Sequence, residues 1–255
     1  MYVVDLNCDL GESFGDFKIG NDDEILKYVT SANIACGFHA GDPVVMGKTV
    51  VKALKEGVAI GAHPGFPDLM GFGRRNMNLS LEEIKAYITY QIGALNGFLT
   101  AYGGRLQHVK PHGALYNMAA KDYSLARAMT EAIYQIDNEI IFVGLANSSM
   151  IKAGKDVGLP VVEEVFADRN YNHDGTLVSR SLENALIHDT EICYQRVIKM
   201  IKDKTVTSID GREISINADT ICIHGDHPKA MDFAKKLREM LLVNQVELKA
   251  MGEIL

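Results

Sequence analysis

Ionisable residues recur in this sequence at a spacing of two along short apolar stretches, often just ahead of a glycine or proline. Asp5, Asn7 and Asp9 alternate with Val4, Leu6, Cys8 and Leu10, and His108, Lys110 and His112 alternate with Gln107, Val109 and Pro111. His39 opens His39-Ala40-Gly41-Asp42, His63 opens His63-Pro64-Gly65, His112 precedes Gly113, and His224 opens His224-Gly225-Asp226. Period two is the repeat of a β-strand, so polar groups share one face of each strand and apolar groups the other. A glycine directly after the strand lets the backbone turn sharply and approach a small ligand. Carboxylates, imidazoles and a lysine gathered in this way can move protons, polarise a carbonyl or hold an anion. A single histidine ending a strand is usually a hydrogen-bonded structural residue. Convergence of several is different, because each imperfectly paired ionisable group buried without use costs a few kcal/mol.

The same residues allow a metal reading. His39, His63, His112 and His224 with Asp9, Asp42 and Asp226 could form a His/carboxylate site with an open coordination position, or could hydrogen-bond substrate and one another. No two of them stand at a fixed helical or turn spacing, so a divalent metal stays open. Among the cations, Lys110 is a clamp for a substrate carboxylate or a base whose pKa burial lowers. Arg74 and Arg75 sit in a Gly-rich loop, 64–78. Asp168 and Arg169 follow a later strand, with Tyr171, Asp174 and Arg180 beyond them. Two apparent motifs fail on geometry. Gly41 to Thr49 has five residues between its glycines where a phosphate-binding P-loop needs four, and Asp5 to Asp9 lacks the glycine of a calcium loop.

The elements that must position these groups are strands alternating with amphipathic helices. Candidate strands are Val3–Cys8, Asn33–Phe38, Val58–His63, Leu106–His112, Ile140–Leu145, Val161–Phe166, Thr220–Asp226 and Val246–Ala250. Asp42-Pro43 caps a helix over Val44–Lys55, and the capping box Ser80-Leu81-Glu82-Glu83 opens a long one to about Ala101. Further helices are expected over Asp23–Tyr28, Ser124–Gln135, Ser148–Asp156, Glu191–Lys202 and Lys229–Leu242. Residues 205–216 read as an inserted β-hairpin with a type I′ turn at Asp210-Gly211. Seven or eight parallel strands with helices between them make a single (β/α) barrel over residues 1–255, an open doubly wound sheet being the alternative.

Composition narrows the function. Against 26 Lys+Arg stand 33 Asp+Glu, a net charge of −7, which disfavours nucleic acid and anionic membranes as partners. No apolar run approaches a membrane span, and the first residues lack a secretory pattern. Cys8, Cys36, Cys193 and Cys222 show no paired spacing, so buried thiols in the cytoplasm are expected.

Six blocks of residues together resemble the LamB/YcsF family: Asp5-x-Asn7-x-Asp9-Leu10-Gly11-Glu12-Ser13, Asn33-x-Ala35-Cys36-Gly37-Phe38-His39-Ala40-Gly41-Asp42-Pro43, Gly61-Ala62-His63-Pro64-Gly65, Val109-Lys110-Pro111-His112-Gly113-Ala114-Leu115-Tyr116-Asn117, Phe166-Ala167-Asp168-Arg169-x-Tyr171 and Cys222-x-His224-Gly225-Asp226. The resemblance implies a distorted barrel of the glycoside hydrolase/deacetylase type. It also implies one component of an ATP-dependent 5-oxoprolinase, which opens the lactam 5-oxo-L-proline to L-glutamate with partner subunits B and C. The metal-binding Asp and paired His of the deacetylase relatives have no clean match here. On this reading Asp9, His112, Lys110 and His63 carry the chemistry. Asn7, Glu12, His39, Arg74, Asp168, Arg169, His224 and Asp226 bind substrate, and ATP is bound here or on a partner. A 5-oxoproline-binding component without catalysis and a stand-alone metal-dependent amide deacetylase are the alternatives.

Overall fold

The computed structural model describes residues 2–223 and 230–255. The chain begins β1 (Tyr2–Leu10), α1 (Asp22–Ile25), β2 (Ser31–Ala35), α2 (Pro43–Glu56), β3 (Ala59–His63), α3 (Leu81–Tyr102) and β4 (Leu106–Val109). It continues α4 (Gly113–Ala119), α5 (Tyr123–Ile136), β5 (Ile141–Leu145), α6 (Ser149–Val157), β6 (Val161–Phe166) and α7 (Thr190–Lys202). The last elements are β7 (Thr205–Thr207), β8 (Glu213–Ser215), β9 (Thr220–Ile223), α8 (Ala230–Val243) and β10 (Val246–Leu248).

Strands β1, β2, β3, β4, β5, β6 and β9 pair in that order, all parallel, and β9 returns to β1. The result is a closed seven-stranded (β/α) barrel. β10 adds to the lower half of β1, pairing Tyr2 with Val246 and Val4 with Leu248, so the eighth strand lies beside the cylinder and not in it. The two main early helices are set by their ends. The Asp42 carboxylate accepts from the Val44 and Val45 amides ahead of Pro43, and Gly57 closes α2 in a left-handed turn. Ser80 and Glu83 exchange both bonds of a capping box on α3.

Alternation then sorts the side chains. Val4, Leu6, Cys8 and Leu10 point outward into the main apolar core, while Asp5, Asn7 and Asp9 point along the barrel axis. The barrel floor is apolar, made by Ile141, Val143, Val162 and Met251. Above it the axis is a column of hydrogen bonds. Asp5 accepts from Thr30, Ser31 and Thr220, and Asn7 donates to Thr220 (2.7 Å) and Glu164 (3.1 Å). Asn33 donates to Asn7 (2.7 Å) and Asp9 (2.9 Å), and accepts from His108 Nε2 (2.8 Å). Gly61 makes room for that imidazole: a Cβ there would fall 2.1 Å from His108 Cδ2, at the point where the β3–β4 register shifts.

Several expected boundaries move. The second strand starts two residues early and stops at Ala35, because Gly37, at φ 86, turns the chain. The fourth strand ends at Val109, although Lys110 and His112 still bond backbone to backbone with Ala62 and Pro64; Pro111 between them has no N–H to give. Helix α4 is unforeseen, since it is short and has no side-chain cap. The hairpin at 205–216 forms, but not with a type I′ turn. Its loop runs Ser208 to Arg212, and only Gly211 takes a positive φ (83), which is a turn with a bulge. The last residues of the expected Thr220–Asp226 strand lie outside the described residues, with His224 and Asp226 among them.

Candidate active site at the barrel mouth

Above the polar column, Lys110 gathers the acids. Its ammonium lies 2.9 Å from Asp9 Oδ1 and 2.8 Å from Glu164 Oε1, with Asn7 Oδ1 at 3.2 Å and Cys222 Sγ at 3.1 Å. Burial alone would lower its pKa, but Asp9, Cys222 and Glu164 outweigh it and hold the ammonium well above the ordinary lysine range. Lys110 is therefore a fixed cation and not a free base. Burial, working against the nearby Lys110, keeps Cys222 a thiol.

At the mouth three imidazoles meet. His39 and His112 stack at 3.7 Å and 4°, and His63 stands edge-on to both. Their tautomers follow from their outer partners. His63 Nδ1–H donates to the Lys110 carbonyl (2.7 Å), and His112 Nε2–H donates to the Phe72 carbonyl (2.8 Å). That leaves His63 Nε2 and His112 Nδ1 facing each other at 3.0 Å. Two neutral rings would oppose lone pair to lone pair there, an arrangement that a cation bound between them would relieve. Asp9 Oδ2 lies 3.3 Å from that His63 nitrogen. Burial, then His63, pushes the His112 pKa well below its ordinary value; burial, then His112, does the same to His39. Gly73 packs the cluster from above, where a Cβ would strike His39 and His112 at 2.6 and 2.8 Å.

The donor set also fits a divalent cation. Glu12, His39, His63 and His112 each bring one ligand atom to within 4.8 Å of the others, all four are buried, and both His39 nitrogens lack a hydrogen-bond partner. The chemistry is that of a His/carboxylate site. Asp42 is not part of it, being committed to the α2 cap and to the Gly15 amide (2.8 Å).

A cavity of about 590 Å³ opens over this cluster. Of the residues singled out from sequence, Asp9, Glu12, His63, Arg74, Lys110, His112 and Arg169 line it. Asn7 lies beneath it and His39 behind His112. Asp168 is not a lining residue; its carbonyl receives the Ile187 amide. Arg75 pairs with Asp68. Two residues of the site escaped the sequence reading. Glu164 sits on β6 at the parity of Phe166, and a pair of acids inside an otherwise apolar strand was the available signal. Tyr116 comes from α4; burial, then Glu164, raises its hydroxyl pKa well above the ordinary value.

The sequence model of the LamB/YcsF family matches residues 4–255. The chain belongs to the LamB/YcsF family. It has full-length relatives in several bacteria. It is 59% identical over 255 residues to the 5-oxoprolinase A subunit of Alkaliphilus metalliredigens, covering 100% of both chains. It is 56% identical to the 5-oxoprolinase A subunit of Bacillus subtilis, covering 99% of this chain and 98% of that one. The structure superposes on the lactam utilization protein from Thermus thermophilus with a TM-score of 0.91 at 46% identity, over 97% of this chain and 99% of that one. A deacetylase solved with substrate shares the fold of this LamB/YcsF chain at a TM-score of 0.50 and 15% identity, over 99% of this chain and 90% of that one.

Proposed function

We propose that this chain is the lactam-opening component of an ATP-dependent 5-oxoprolinase, acting with partner subunits B and C to convert 5-oxo-L-proline to L-glutamate. The observation that carries this reading is one cavity with a proton-handling end at Asp9, His63 and His112 and a cationic end at Arg74 and Arg169. Relatives bearing the oxoprolinase name over their full length support it. Four buried free cysteines suit a cytoplasmic site, and no helix among the described residues is long and apolar enough to cross a membrane.

A five-membered lactam is an unreactive amide. Transfer of the terminal phosphoryl group of ATP to the lactam oxygen releases ADP and turns that oxygen into a leaving group. Water then adds to the ring carbon, the C–N bond breaks as nitrogen takes a proton, and a second water frees phosphate, leaving glutamate. Asp9 and His112, with His63 between them, accept the water's proton and return one to the ring nitrogen. The substrate carboxylate needs a cation. Lys110 is already held by Asp9, Glu164 and Asn7, so Arg169, buried with its Nε unpartnered, takes that part. Glu12, His39, His63 and His112 would alternatively hold a divalent cation, which when bound supplies positive charge to a carbonyl oxygen and leaves proton transfer to Asp9.

The test is reconstitution with B and C, following glutamate and ADP together. Asp9→Asn and His112→Ala variants that fold are expected to lose about a hundredfold or more in both products. Losses below about twofold in these variants and in Lys110→Ala would remove the assigned roles. Substrate binding with no gain in turnover on adding this chain would leave a role in binding alone. The Glu12–His39–His63–His112 cluster favours a second reading, amide hydrolysis by the lone chain, which chelator-sensitive turnover without ATP would establish.

A further inference from the structure

The cationic end of the cavity exceeds what one carboxylate requires. Arg169 is only 3% exposed, donates to the Val178 carbonyl (2.6 Å) and keeps its Nε buried without a partner. Burial and then the neighbouring Arg180 pull its pKa down to about 10, with Asp168 and Tyr171 opposing and Arg74 adding a smaller push. Arg74 stacks 4.8 Å above the Phe72 ring and also acts on His39 and His112, so it stands in reach of both ends. All three arginines line the same space, in a chain of net charge −7. Cations gathered at one concavity of an acidic protein draw an anion there. The volume, about 590 Å³, is in the range that encloses drug-sized ligands, well beyond a single five-membered ring acid. Planar guanidinium forks match the oxygens of a phosphoryl group in charge and geometry.

Resting on the lactam reading above, we infer that Arg74 and Arg180 bind a phosphoryl group beside the carboxylate held by Arg169, so that this chain's own cavity receives the phosphate. The phosphoryl group can arrive as the terminal phosphates of ATP or already attached to the lactam; the recognising chemistry is the same.

The full chain is titrated by calorimetry with inorganic phosphate, with β,γ-methylene-ATP and with 5-oxo-L-proline. The unmodified protein is compared with an Arg74→Gln/Arg180→Gln variant and with Arg180→Gln alone, each checked for folding by circular dichroism. Both arginines are exposed at the rim. Phosphate is expected to bind, and to weaken about tenfold in the double variant, while 5-oxo-L-proline affinity changes by less than about threefold in Arg180→Gln alone. No phosphate binding at millimolar concentration, or equal binding by both variants, overturns the inference. Loss of 5-oxo-L-proline binding from the unmodified chain, with phosphate binding kept, overturns only the lactam reading. The analogue binding more tightly than phosphate assigns the group to ATP; phosphate binding without the analogue assigns it to a phosphorylated lactam.

Discussion

Lys110 Nζ and Glu164 Oε1 meet at 2.8 Å on the barrel axis, their side chains 3% and 0% exposed. With Asp9 at 2.9 Å on the same ammonium, one cation fastens the end of β4 to carboxylates from β1 and β6. Such a buried pair adds little net stability over apolar residues, yet breaking one side strands a charge. Glu164→Gln and Lys110→Met are each expected to cost about 3 kcal/mol, and the double variant at least about 1 kcal/mol less than their sum. Urea unfolding of the four proteins measures this, and strictly additive losses would dismiss the coupling.

The two ring nitrogens that face each other on His63 and His112 make a second expectation. After chelator treatment the chain should take up Co²⁺ at one site per molecule, visible as absorption bands of a nitrogen-ligated ion. His63→Gln or His112→Gln should weaken that uptake more than about tenfold. Equal affinity in either variant would count against the cluster as a cation site.

Asp5 sets a pH dependence. Burial raises its carboxyl pKa from 3.8 to about 6, with hydrogen bonds from Ser31, Thr220 and Thr30 opposing and Glu164 adding to the rise. Between those values the folded state binds more protons than the unfolded one, so this group's contribution falls as pH rises and is fully lost above about 6. Relative to Asp5→Asn, the protein should lose on the order of 3 kcal/mol between acid and neutral pH. Denaturant unfolding at both ends of that window checks it; a difference independent of pH is the contrary result.

Gly61 is the cheapest place to disturb the column beneath the site. Gly61→Ala puts a methyl group against the buried His108 ring and is expected to cost about 1–3 kcal/mol. Thermal denaturation reads the loss. His108→Ala in the same background should return part of it, and no recovery would mean that the strain lies elsewhere.

Alternation makes the barrel and its axis legible from the residues alone. The period-two placement of Asp5, Asn7 and Asp9 on β1 needs only local sterics, and the inward column follows from it. What Lys110 touches is not legible in that way, because Glu164 and Cys222 reach it from β6 and β9 through the register of a closed sheet. Glu163 and Glu164 are adjacent, so only a decision about which faces inward separates an edge acid from a central one. Glu12, His39, His63 and His112 come from four different strand ends, which is why no spacing announces them. The type I′ turn fails for a local reason: Asp210 does not take the positive φ that such a turn requires of both central residues.

Strand β1 draws its neighbours from opposite ends of the polypeptide. β10 and β2 follow one another along one side, and β9 lies along the other, with Asp5 opposite Thr220 and Tyr2 opposite Val246. Contacts so distant in sequence are slow to form, since the intervening chain must first be drawn into a loop. The edge bearing Asp5, Asn7 and Asp9 is completed only when the two ends of the chain meet, so the cylinder and its reactive centre close together. A partly folded molecule would hold neither, so any ligand that grips Asp9 also reports that the ring has shut.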